Sequence, residues 1–268
     1  MRAALAVTLL CAAAAPIQAQ MHHGHTPAIP IDASTVDVLI ENARSAAGPY
    51  VDRSAAIADG YRRVGRELPM MGEHWLNTRL LVDGTFDITH PQVLTYLDIG
   101  GKPVLTGVVF AVVLDSGESP PATFGSTAIW HEHNGSVDEE ALVPEHHTAP
   151  SEVVGTRVSF LHVWTHVVSE NVFGAENWAL PFVRAGVKVP AKFSNHAARC
   201  MGIQNGGRDY YLAMPGAQAD PASFDECAVL GAKIANRART EGRAPTESEL
   251  GELETAWRIA SNAIERHR

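Results

Sequence analysis

Apolar residues recur at a helical period near the start of this chain, gather into β-branched runs in its middle, and return to the helical period at its end. Val36, Leu39, Ile40 and Ala43 share one stripe, and Ala55, Ile57, Ala58 and Tyr61 define a second after the Gly48-Pro49 break. A helical hairpin beginning at Ser34 is therefore expected. From Val93 the texture changes. Val93-Leu94-Thr95-Tyr96-Leu97, the turn residues Gly100-Gly101-Lys102-Pro103 and the run from Val104 to Leu114 read as two strands joined by a short turn. Val158, Val163, Thr165, Val167 and Val168 predict a third strand over Val158 to Val168, because side chains branched at Cβ suit a pleated surface better than a helix.

After Cys200, Gly206-Gly207 and Pro215-Gly216 mark loops, and two helices close the chain. The second has a capping box, Thr246 with Glu249, followed by Leu250, Leu253, Ala256, Trp257 and Ala260 on one side. Arg237 to Arg243 reads as the solvated end of the helix before it. The expected fold class is α+β: a central, mainly antiparallel sheet or small barrel with an N-terminal helical hairpin and C-terminal helices. Residues 34–196 would form the core, and 197–268 a helical extension packed on it.

Arg2, the apolar run Ala3 to Ala15 and then Pro16-Ile17-Gln18-Ala19 have the order of a secretory signal peptide over residues 1–19. Met21-His22-His23-Gly24-His25 and the proline-bearing stretch after it have no periodicity, so 20–33 reads as a flexible, histidine-rich arm. A periplasmic or secreted protein is expected. Later in the chain nothing approaches the roughly 20 apolar residues of a bilayer span. With 268 residues and 46% hydrophobic content, the chain can bury one sizeable core. A formal net charge of −9 argues against a nucleic-acid surface. Loss of Cys11 with the leader would leave Cys200 and Cys227, for which an oxidising compartment makes a disulfide the leading expectation and a pair of metal-binding thiols the alternative.

The candidate chemistry lies in the histidines. His131 and His133 flank Glu132; on a strand they would share a face about 6.6 Å apart, close enough to converge on an ion about 2 Å from each nitrogen. His162 and His166 also share a face, but roughly 13 Å of strand would separate them, so only one should reach that ion. Gly72-Glu73-His74-Trp75 offers a carboxylate and another imidazole. Such ligands suit a transition metal such as copper, zinc or iron, without choosing among them. Glu73 and Glu132 are the candidates for moving protons. A chain cut after Ala19 would begin Gln20-Met21-His22, whose amine, backbone nitrogens and imidazole can enclose copper(II) or nickel(II) in a square plane. No Gly-x-Ser-x-Gly, Walker loop, His-Glu-x-x-His or dinucleotide fingerprint is present.

Gly125, His131-Glu132-His133 and Asp138 or Glu139 resemble the first motif of the cupin barrels, although the second motif lacks its Pro-x-Gly. A broader resemblance runs from Ala55 to Asn177. Ala58-Asp59-Gly60-Tyr61, Met71-Gly72-Glu73-His74-Trp75-Leu76-Asn77, Pro91 to Tyr96, and Leu161-His162-Val163-Trp164 ahead of Val172-Phe173 resemble a group of secreted bacterial proteins without an assigned function. That resemblance implies His74, Asn77 and His162 as one constellation, and favours His162 over His166. Two departures stand out: Val168-Ser169-Glu170-Asn171 replaces the group's Asn-Pro-x-Gly, and Trp130-His131-Glu132-His133 adds ligands of its own. Three functions follow: an exported metal-binding protein that sequesters or carries a transition metal, a metalloenzyme with an open coordination position, or a barrel binding a small molecule without metal.

Overall fold

The structure, a computed structural model, describes residues 33–115, 117–132, 157–213 and 220–265. The leader, the arm with Gln20, Met21 and His22, and His133 lie outside the described residues.

Two helices open the fold, α1 (Ala33–Ala47) and α2 (Arg53–Ala58), linked by a short 3-10 turn (Gly48–Val51). Asp52 caps α2 by accepting the Ser54 N–H at 2.9 Å. The expected second helix stops before Tyr61, because Gly60 takes a left-handed φ of 98° and turns the chain into the sheet. Tyr61 packs in the core instead, its hydroxyl donating to the Pro91 carbonyl at 2.7 Å.

Six antiparallel strands make one curled half-barrel: β1 (Arg62–Leu68), β2 (Gly72–Leu76), β3 (Val93–Ile99), β4 (Lys102–Leu114), β5 (His131–Glu132) and β6 (Arg157–Val163), in the spatial order β1-β2-β3-β4-β6-β5. A short helix, α3 (Thr78–Val82), lies between β2 and β3. The hairpin expected over 93–114 is present. Ile99 pairs with Lys102 across Gly100 and Gly101, whose φ values of 61° and 81° give the primed two-residue turn that matches strand twist. Strand β6 ends at Val163 rather than Val168. Beyond it the Trp164 N–H donates to the Val172 carbonyl at 2.9 Å and the Arg44 guanidinium of α1 takes the Thr165 carbonyl at 2.6 Å, so the regular ladder gives way, leaving the His166 N–H bonded to the Thr106 carbonyl of β4 at 3.1 Å.

Alternation along the strands gives the sheet two unlike faces. Leu94, Tyr96, Val108, Phe110, Leu161 and Val163 form one apolar cluster with Ala43 and Ala47 of α1. Register places His74, Thr95, Val109, Phe160 and His162 on the other face, together with His131 opposite Phe160. This second face is the concave one. His74 and His162 stand three strand steps apart, about 14 Å in a flat sheet, yet their Nε2 atoms are 3.2 Å from each other. Only a sheet curled about that face brings them together. Gly107 permits the curl: a Cβ there would stand 2.5 Å from the Val163 carbonyl oxygen and 3.1 Å from the Trp164 Cα.

Five further helices, α4 (Leu180–Arg184), α5 (Asn195–Gly202), α6 (Arg208–Leu212), α7 (Pro221–Glu241) and α8 (Glu247–Glu265), pack against one end of the sheet. Their apolar residues form a second cluster that takes in Leu68, Met70, Leu97 and Trp164. Cys200 of α5 and Cys227 of α7 are joined by a disulfide with Cα atoms 5.4 Å apart, which removes the alternative of thiol ligands. The capping box holds: the Thr246 N–H donates to Glu249 Oε2 at 2.8 Å, and the Glu249 N–H to Thr246 Oγ1 at 3.3 Å. Arg237 and Arg243 are not merely a solvated helix end, since both clamp Glu249, at 3.0 and 2.7 Å. Among the described residues no helix is long and apolar enough to cross a membrane.

Candidate metal centre

The concave face carries a patch that neither apolar cluster includes. Val93, Thr95, Val109, Ala111, His131 and His162 are all buried there, and belong to neither. A fold that buries two imidazoles among valines has to satisfy their nitrogens or suffer the cost of stripping them of water.

His74 projects from β2 and His162 from β6, meeting edge to face with ring centres 5.5 Å apart and planes at 79°. Their Nε2 atoms lie 3.2 Å apart. In a neutral pair one ring donates its Nε2–H and the other accepts. The same separation suits two ligands of one cation: with metal–nitrogen bonds of about 2.0 to 2.1 Å it corresponds to a ligand–metal–ligand angle of about 100°, close to tetrahedral. His162 is 3% exposed and His74 partly exposed, so approach to the pair is from the β2 side.

His131 joins this neighbourhood from β5. Its ring is 5% exposed and runs parallel to that of His162, 7° from it, with centres 5.2 Å apart. The stack continues just past the end of β6, where Trp164 lies 11° from the His162 plane at 5.4 Å. Among the described residues no group of three or more His, Cys, Asp or Glu side chains is gathered so as to hold a metal ion. What is assembled is a pair at ligand spacing, with a third imidazole alongside.

The other candidates lie elsewhere. Glu73, one residue before His74, points by alternation to the convex face, where it is 6% exposed and paired with Arg53 at 2.9 Å and Arg63 at 2.7 Å. It also accepts the Trp75 indole N–H at 3.0 Å. Those bonds make it the hub of an ion cluster, not a ligand of the histidine pair. Glu132 alternates away from His131 and is buried beside Ser159. His166 sits past the end of β6 with Nδ1 2.7 Å from Thr165 Oγ1, facing Arg44 and Glu41 of α1. Burial, then Arg44, hold its imidazole below the ordinary value. Asn77 spends its side chain structurally, donating to the Asp59 carbonyl at 3.0 Å and capping α3 through Leu80 N–H at 3.4 Å.

Two contributors escaped the sequence reading. Trp164 follows His162 by two positions, the strand period, which could have placed it on the same face. Gly107 interrupts a β-branched run, a mark of close backbone approach. No family model matches the chain, and neither a curated protein nor a solved structure does, so the site must be read from its own residues.

Proposed function

We propose that this chain is an exported protein that binds a transition metal on the concave face of its half-barrel, holding it through His74 Nε2 and His162 Nε2 with His131 beside them. One observation carries the reading: the 3.2 Å between those two nitrogens, brought from strands three steps apart. A shell of two neutral imidazoles suits copper, zinc or iron and leaves coordination positions open. Such a shell favours exchange over permanent structural binding, and sequestration or carriage follows from that more readily than a fixed structural role. The disulfide supports export, because such bonds persist in oxidising compartments.

Protein purified from a periplasmic preparation and analysed for its elements should carry about one transition-metal ion per chain. The double variant His74→Ala, His162→Ala should lose it while keeping the wild-type circular dichroism. Equal metal content in the two proteins refutes the proposal.

A further inference from the structure

We infer that Trp164 is a positioning residue for the metal pair, fixing the plane in which the His162 imidazole presents its Nε2. This inference rests on the metal reading above. His162 is flanked by parallel rings, His131 at 5.2 Å and Trp164 at 5.4 Å, while His74 meets it edge-on. Rotation of the imidazole about its Cβ–Cγ bond would drive its edge toward one neighbour or the other, so the ring is held with Nε2 toward His74. A fence of this kind works only if its own planks are fixed.

Trp164 is fixed at several points. Its indole N–H donates to the Gly174 carbonyl at 2.7 Å, and its backbone N–H to the Val172 carbonyl at 2.9 Å. Gly107 lets β4 run close by, since a Cβ added at that glycine would stand 3.1 Å from the Trp164 Cα. The indole is 3% exposed and packs into the helical cluster with Leu97 and Trp178. Trp164 thus stands where that cluster meets the histidine patch, and passes the rigidity of the helices to a ligand. Partners that orient a ligating imidazole are commonly worth ten- to a hundred-fold in metal affinity.

The test uses copper(II) added to the purified full chain and to Trp164→Leu, Trp164→Phe and the His74→Ala, His162→Ala variant, each carrying His22→Ala so that the amino-terminal copper site expected at Gln20-Met21-His22 is absent. Trp164→Leu should bind about tenfold more weakly and show an altered copper hyperfine splitting by electron paramagnetic resonance. Trp164→Phe, which keeps a flat ring, should restore most of the affinity and the wild-type spectrum. Copper should also quench tryptophan emission in the wild type, and the quench should shrink in Trp164→Phe. That measurement stands even if the leucine variant does not fold. Wild-type affinity and spectrum in a folded Trp164→Leu overturns the inference and leaves the metal site standing, whereas an undiminished quench in Trp164→Phe places copper away from the His162–Trp164 stack and overturns both. Equal copper binding by the wild type and the double histidine variant removes the metal reading itself, and the inference with it.

Discussion

Burial and the neighbouring Arg44 together keep the His166 imidazole neutral to lower pH than an ordinary histidine. Its folded value lies below its unfolded value of about 6.5. The unfolded chain therefore takes up protons first, and the stability associated with this group is present above that pH and drains away as pH falls through the folded value. Denaturant midpoints measured from pH 7.5 down to pH 5 should fall less steeply for His166→Gln than for the wild type. Glu249 behaves alike at lower pH: Arg243 beside it pulls its carboxyl down to about 2, so its contribution is complete above about 4.3 and is lost as pH falls toward that folded value. Glu249→Gln should shift the acid-unfolding midpoint upward. Residue type alone made His74 and His162 readable as candidate ligands, and the resemblance to a secreted bacterial group joined them. It could not show that Glu73, their neighbour in sequence, faces the other way toward Arg53 and Arg63.

At the level of elements, two glycines matter more than any side chain near the pair. A Cβ at Gly107 would press on the Val163 carbonyl at 2.5 Å, and one at Gly72, whose φ is +76°, would collide with the Tyr96 carbonyl oxygen. Backbone atoms cannot step aside as a flexible side chain can. Gly72→Ala and Gly107→Ala should each cost about 2 kcal/mol or more, seen as a fall in the thermal midpoint. Thr246→Ala should cost about 1 kcal/mol, the usual worth of an N-cap, since it removes one arm of the box with Glu249. The β3–β4 hairpin was plain in the sequence because a Gly-Gly turn joins two β-branched runs. Strands β1 and β2 were not. Arg62 to Leu68 is mostly polar and only its last residue is buried, with an irregular register between Val64 and Leu68 and Gly65 at a φ of 61°, so no alternation betrays it.

Across the whole molecule, the chain's two apolar clusters divide the labour. One backs the sheet with α1, and the other fills its end with helices stitched by Cys200 and Cys227. The bridge closes a loop of 27 residues, for which chain entropy gives about 3 to 4 kcal/mol. A Cys200→Ser, Cys227→Ser variant should lose about that much stability in denaturant titration and, on the proposed metal reading, should hold metal less firmly because Trp164 belongs to the same cluster. The α+β class was evident from the change of period along the chain; the half-barrel was not, since curvature depends on contacts between strands far apart in sequence. That curvature has a consequence of its own. Two strands intervene between His74 and His162, so the gap between their nitrogens works as a calliper on the bend of the sheet. A substitution that flattens the bend, however distant, would spread its jaws with both imidazoles intact, and under the proposed function any metal lost that way would report shape and not ligand chemistry.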